Sequence, residues 1–279
     1  DDGVVVTTGG HPGGNQPGEV YNITAGGTAL QRVSQSTFPY RYSHAMARVP
    51  GNGDAFLVVG GTPDNYMGYH YKNDAILTTD RGVNFVVMSS AVFASPGAHP
   101  GNGLIFTGRS DLGLAALGPA HFITFGGRCN GANYVFNDVL ETHDLGVTWS
   151  TLRENSGESP SEAEAASLGC AGDLALVANN VAAAAMWSAR YSFAWAYMPL
   201  QKRVLIAGGN TGSNLKRDVW GSDDNGKCWS QLSADSGPDG YYEGSLVVAT
   251  LGGVEILLLH GGRNAWARLS TIYRSLDGG

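Results

Sequence analysis

The chain has 279 residues and a formal net charge of −7, and its lysines and arginines do not cluster. This charge argues against a nucleic-acid partner or an anionic membrane surface, and no run approaches the roughly 18 apolar residues that a membrane-spanning helix needs. Glycine accounts for 41 residues, roughly twice the average usage of about 7%. No collagen period accompanies it, so we assign the excess to turns and strand ends.

Short apolar runs that end in two glycines recur along the chain. These runs are VVVTTGG, FLVVGG, HFITFGG, RVLIAGG and EILLLHGG, which end at Gly10, Gly61, Gly127, Gly209 and Gly262. Runs of this length that are rich in β-branched and aromatic residues predict strands buried on both faces. A helix would need about ten residues or more, and the paired glycines would stop it.

Each apolar run belongs to a larger repeated unit. A strand-like segment precedes the run, and a strand containing Asp, a tight turn and a final strand follow it. Four antiparallel strands per unit predict a blade of a β-propeller. We therefore predict a single all-β propeller domain over residues 1–279, with about five units visible and three of them whole. The predicted boundaries are a partial blade at 1–35, blades at about 36–90, 105–155 and 187–235, an insert at about 156–186, and a partial blade at 240–279.

The two terminal units are predicted to be incomplete. The first unit lacks its first strand and the last lacks its fourth, so neither end completes the other. Because an open ring of blades leaves a sheet edge exposed, we expect the native protein to contain more chain on one or both sides.

The tight turns share the pattern Ser/Thr-x-Asp-x-Gly-x-x-aromatic. A catalytic constellation has no reason to occur in every repeat of a chain, whereas a structural turn does. The Asp can accept hydrogen bonds from backbone N–H groups, the Gly can adopt a positive φ, and the aromatic ring can pack the hairpin onto its neighbour. The turn residues are Asp80, Gly82 and Phe85, then Asp144, Gly146 and Trp149, then Asp224, Gly226 and Trp229, with Asp277 in the last copy.

These motifs carry a family resemblance. The apolar run with Gly-Gly, followed by Asn-Asp-Val/Ile and an aromatic residue, resembles the kelch repeat. Residues 78–85, 142–149 and 222–229 resemble the Asp-box, also called the bacterial neuraminidase repeat. The likeness covers nearly the whole chain outside the insert and is to extracellular kelch-type propellers.

The two repeats that this chain resembles also occur in two classes of enzyme: Asp-boxes in sialidases and kelch repeats in copper oxidases. Sialidases require an arginine triad, a tyrosine nucleophile with its glutamate and an Arg-Ile-Pro element, and no such element is present. Copper oxidases of the galactose oxidase type hold their metal with two tyrosines and two histidines, whereas the seven histidines here are scattered singly, with His143 at a variable turn position. We therefore expect no catalytic residue, cofactor or metal, and keep a sialidase-like hydrolase or galactose-oxidase-like copper oxidase as the alternative.

Two groups of residues are candidate ligand contacts. Arginines recur at the start of the first strand of each full unit, where they could hold an anionic glycan or carboxylate. Alternatively, each satisfies a carboxylate or a loop carbonyl between strands, because buried charges must be paired. Tyrosines in inter-strand loops could contact sugar or protein, or could pack on neighbouring blades. The residues are Arg41, Arg109, Arg190, Tyr66, Tyr69, Tyr71 and Tyr134.

The cysteines and one glycosylation sequon bear on whether the protein is secreted. Cys129 and Cys170 lie in loop-like segments and form a candidate disulfide, whereas Cys228 is expected to be a small packed residue. Asn22 begins an acceptor sequon that is compatible with secretion. The leading hypothesis is thus a noncatalytic structural or adhesive propeller module, extracellular or on the cell surface, as one unit of a fibrous or cell-surface glycoprotein. Its partners would be proteins or glycans, including other copies or domains of the same chain.

Overall fold

The computed structural model describes residues 6–8, 19–23, 29–33, 36–63, 71–93, 108–129, 134–155, 186–236 and 239–276. Within these ranges every regular element is a β-strand. No helix in the described ranges is long and apolar enough to cross a membrane. The predicted fold class is confirmed: the protein is all-β, with the antiparallel four-stranded sheets of a β-propeller. Nearly all of the predicted insert lies outside the described residues.

The strands form five larger sheets. The N-terminal sheet contains β1 (Val6–Thr8), β2 (Val20–Ile23) and β3 (Leu30–Arg32). The first complete sheet contains β4 (Ala45–Arg48), β5 (Phe56–Val59), β6 (Ala75–Thr78) and β7 (Val86–Ser89). The second contains β8 (Gly113–Ala116), β9 (Phe122–Phe125), β12 (Val139–Thr142) and β13 (Ser150–Arg153), and the intervening β10 (Arg128–Cys129) and β11 (Tyr134–Val135) pair as a separate ribbon.

The third complete sheet contains β14 (Ala194–Met198), β15 (Arg203–Ala207), β16 (Val219–Ser222) and β17 (Ser230–Ser233). The C-terminal sheet contains β18 (Tyr242–Leu251), β19 (Val254–Arg263) and β20 (Ile272–Ser275). In each larger sheet, strands that are consecutive along the chain lie side by side, apart from the inserted ribbon. Among the described residues, three of these sheets have four strands and two have three.

The chain forms two compact units. The first comprises Asp1–Thr124, Cys129–Gly131 and Glu141–Ser150, and the second comprises Phe125–Arg128, Ala132–Leu140 and Thr151–Gly279. In the first unit, an apolar core is built from Val20, Phe38, Phe56, Val58 and Ile76. In the second, the third complete sheet packs on the C-terminal sheet through a core that includes Ala194, Met198, Leu205, Leu257 and Leu259.

The glycine pair after β15 lets the chain leave the second strand of the third complete sheet and reach the next sheet. Gly208 and Gly209 have φ values of 64° and 99°, a region that residues with a Cβ rarely adopt. The Gly209 N–H donates to the Tyr241 carbonyl at 2.7 Å, which joins two successive sheets. A Cβ on Gly208 would lie 2.7 Å from the Tyr241 ring, so this joint requires glycine for both conformation and space.

We predict that Gly208→Ala destabilises the protein by roughly 2 to 5 kcal/mol, because left-handed strain adds to overpacking. Gly252→Ala is the matched control: its φ is 59° and an added Cβ would meet nothing within 4 Å, so it should cost only about 1 to 2 kcal/mol. Urea unfolding of both variants measures the difference. Equal losses would contradict the close packing of Gly208 against Tyr241.

Candidate functional site

The turn between the third and fourth strands of a complete sheet is closed by side-chain hydrogen bonds. In the second sheet, Thr142 Oγ1 donates to Asp144 Oδ1 at 2.7 Å and accepts from the Gly146 N–H at 3.0 Å. The Thr148 N–H donates to Asp144 Oδ1 at 2.9 Å. Leu145 and Gly146 have φ values of 60° and 88°, the combination of a type I′ hairpin turn. The turns at Thr78, Asp80 and Gly82 and at Ser222, Asp224 and Gly226 repeat these bonds.

The aromatic residue after each turn fixes the hairpin. Trp149 Nε1 donates to the Gly146 carbonyl at 3.1 Å, and Trp229 Nε1 donates to the Gly226 carbonyl at 2.9 Å. Phe85 has no such donor, and its ring packs edge-on against Phe38 at 4.9 Å. The turn carboxylates are thus occupied by their own backbone. Asp277 lies outside the described residues.

Hydrogen bonding also sets the acidity of these carboxyl groups. Burial tends to raise the pKa of Asp144, but hydrogen bonds from Thr148 and Thr142 outweigh it and lower the pKa to about 2. In Asp80 the effect of burial is likewise outweighed by hydrogen bonds from Asn84 and Thr78, and its pKa is lowered. Both groups are therefore ionised at neutral pH and stabilise their turns in that form.

A buried arginine is paired with an aspartate inside its own sheet in the first and third complete sheets. Arg190 is 0% exposed and donates to both carboxylate oxygens of Asp218, at 2.5 and 3.0 Å. It also donates to the carbonyls of Gly208 and Ser188 and to the Ser188 hydroxyl, so all five of its N–H groups are engaged. Arg41 is equally buried and binds Asp74 in the same bidentate way.

The predicted ligand-contact residues differ in their surroundings. Arg109 is 4% exposed and its guanidinium lies 4.4 Å from the centre of the Phe93 ring. The geometry of Arg41 and Arg190 supports the pairing interpretation of the recurring arginines rather than the ligand interpretation. Tyr71 and Tyr134 are partly buried. Tyr66 and Tyr69 lie outside the described residues.

The cysteine pairing that the sequence suggested is wrong. Cys129 is a free, buried cysteine, and burial raises its pKa to about 11. Cys228, which the sequence presented as a packed residue, is disulfide-bonded. Cys170 lies outside the described residues. Asn22 lies within β2, partly buried, and its side-chain oxygen is buried without a hydrogen-bond partner.

Two of the histidines that appear scattered in the sequence come together with a glutamate. His121 directly precedes β9 and His143 directly follows β12, which is the neighbouring strand in the sheet. Glu141 lies two residues before His143, and residues two apart on a strand point to the same face. Their potential ligand atoms all lie within 4.8 Å of one another. The spacing of Glu141 and His143 was a usable signal, but the partnership with His121 depends on strand pairing.

No protein-family model matches the chain, and no curated protein matches it.

We predict that Arg190→Met destabilises the protein by about 3 to 5 kcal/mol, because it leaves the Asp218 carboxylate without its buried counter-charge. The double variant Arg190→Met/Asp218→Asn should recover part of this loss, since no uncompensated charge remains. Arg203→Met is the control, because its ion pair with Asp223 is exposed on the carboxylate side and should contribute at most about 1 kcal/mol. Chemical denaturation that gave equal losses for Arg190→Met and Arg203→Met would contradict a structural pair.

We predict that Asp144→Ala costs on the order of 1 kcal/mol at pH 7 and that this cost disappears in acid. The folded-state pKa of about 2 lies below the unfolded value of about 3.9. The stabilisation is therefore fully present above about pH 4 and is lost as the pH falls towards 2. Urea midpoints of wild type and variant between pH 2 and 7 measure this, and a difference that did not change with pH would contradict it.

Proposed function

We propose that this chain is a noncatalytic extracellular β-propeller module with a structural or adhesive role, part of a fibrous or cell-surface glycoprotein assembly. Its repeats are of the kelch type with Asp-box turns, as the sequence resemblance implies. The turn aspartates and the paired arginines act within their own sheets, so these repeated polar residues serve the scaffold. The disulfide at Cys228 supports an oxidising compartment.

The observation that carries the proposal is the apolar outer face of the C-terminal sheet. Val247, Val254, Leu251 and Ile272 are 42%, 55%, 73% and 68% exposed. Strand register places Val247 opposite Leu258, Ala249 opposite Ile256 and Leu251 opposite Val254, so these side chains share one face. A contiguous apolar face of this kind marks a contact surface.

We infer that the occupant of this face is the same sheet of a second copy of the chain. The opposite face of the sheet already packs on another sheet, through Leu257 and Leu259 against Leu205 and Met198. The outer face offers the same residue types, Val, Leu, Ile and Ala, together with Arg274 opposite Leu258 and His260 opposite Ile272. Two such faces can bury their apolar side chains against one another while the long side chain of Arg274, which is exposed, keeps its guanidinium in water at the rim.

We predict that the protein self-associates and that Val247→Lys/Ile272→Lys abolishes this, because two Lys side chains would place charge in the centre of the contact. Val87→Lys is the matched control, since Val87 is equally apolar and 60% exposed but lies on β7. Sedimentation velocity over a range of concentrations measures association, with circular dichroism as a check on folding. A monomer at all concentrations would overturn the proposed self-association.

Catalysis is tested separately with a panel of chromogenic glycosides and with analysis for bound copper. We expect no turnover and no copper. Turnover that survives repurification would overturn the noncatalytic role and favour the alternative of a glycan-active enzyme.

A further inference from the structure

We propose that His121, Glu141 and His143 bind one Zn²⁺ ion where β9 begins and β12 ends, at one end of the second complete sheet. Two imidazoles and a carboxylate form a ligand set that zinc uses with water in the fourth position. The site is distinct from the turn aspartates, which are engaged by their own backbone. Its ligand class is a borderline-soft divalent transition cation, because imidazole nitrogens favour such ions over Mg²⁺ or Ca²⁺.

Two of the three distances between the ligand atoms are close to those around a zinc ion, and the third is within 4.8 Å. Ligand atoms that each lie about 2.0 to 2.1 Å from a tetrahedral zinc are separated from one another by roughly 3.3 to 3.4 Å. Glu141 Oε2 lies 3.6 Å from His121 Nε2 and 3.2 Å from His143 Nε2. One carboxylate oxygen therefore stands between both nitrogens at nearly the required separations.

His121 supplies an unused ligand atom. Its Nε2 is buried and has no hydrogen-bond partner, because the carboxylate at 3.6 Å is beyond hydrogen-bond reach. A buried polar nitrogen without a partner costs free energy that a metal bond would recover.

His143 supplies the adjustable ligand. Its ring is stacked on that of His121, with centroids 4.1 Å apart and planes inclined by 26°. Each imidazole lone pair lies in the plane of its ring, and two rings stacked at this small angle do not direct both lone pairs to one point. Metal binding therefore requires His143 to rotate about its side-chain bonds. Its side chain is 64% exposed, which leaves room for this rotation and leaves the fourth coordination position open to water.

The backbone on both sides of the site is held firmly. Thr142 and Asp144, which flank His143, are fixed by the turn hydrogen bonds, and the Leu145 N–H donates to the Ala120 carbonyl at 3.2 Å. Ala120 directly precedes His121, so this bond ties the two ligand-bearing segments together. A rigid backbone under short side chains lowers the cost of ordering the ligands around an ion.

Isothermal titration of the full chain with ZnCl₂, after removal of any affinity tag, tests the site. We expect one ion per chain, and at least a tenfold loss of affinity, or about 1.4 kcal/mol, in His143→Ala and in Glu141→Gln. His143 is exposed and Glu141→Gln preserves size, so both variants should fold. His260→Ala is the control, because His260 is exposed but lies on the C-terminal sheet, and it should bind as the wild type does.

A second readout identifies the ligands. X-ray absorption of the zinc complex should show nitrogen and oxygen ligands at about 2.0 to 2.1 Å with the scattering of two imidazoles, and that of one imidazole in His143→Ala. Absence of binding, or equal affinity of wild type and His143→Ala, would overturn the proposal and leave the cluster as a stacked pair beside a carboxylate. Zinc binding is independent of contact through the C-terminal sheet, so either proposal can fail without the other.

Discussion

A guanidinium group that is removed from water must have its charge and all its hydrogen-bond donors matched by the protein. This constraint organises each complete sheet in which a buried arginine is paired with an aspartate. Arg190 lies before the first strand, Gly208 after the second and Asp218 before the third, and the arginine binds both of the others. One side chain thus holds three strand ends in register. The positive φ of the glycine turns its carbonyl towards the arginine, and the following N–H bonds to the next sheet.

The C-terminal sheet has other residues at the positions of this pair. The Tyr241 carbonyl accepts the hydrogen bond from the Gly209 N–H, as the Arg109 carbonyl does from the Gly61 N–H, so Tyr241 occupies the position of the arginine. Thr271 directly precedes β20 as Asp218 directly precedes β16, so Thr271 occupies the position of the aspartate. Neither member of the ion pair is present at these equivalent positions, so this sheet carries no buried aspartate without a counter-charge here. Tyr241 is fully buried, and burial raises its pKa to about 12. Apolar packing replaces the ion pair in this sheet.

The sequence predicted those features that depend on residues close together in the chain. Alternation of apolar runs, Gly-Gly ends and Asp-Gly turns identified the strands and their grouping, because strand and turn preferences are local. Cys129 and Cys228 were misjudged because disulfide formation depends on the separation and direction of two Cβ atoms, which spacing in sequence does not fix. His121 and His143 were interpreted separately because 22 positions separate them along the chain and only the register of β9 against β12 brings them together.

The repeated Asp turn explains why the cluster of His121, Glu141 and His143 can form beside it. The residue between Ser/Thr and Asp is not needed for the turn hydrogen bonds, so its side chain is free to vary, while the backbone beneath it stays fixed. In the third complete sheet this position is Asp223, which forms an ion pair with Arg203 at the start of the adjoining strand, at 2.6 Å. In the second it is His143 beside His121. The same cross-strand position therefore carries an ion pair in one sheet and two imidazoles in another, and chemistry varies on a scaffold that the aspartate keeps constant.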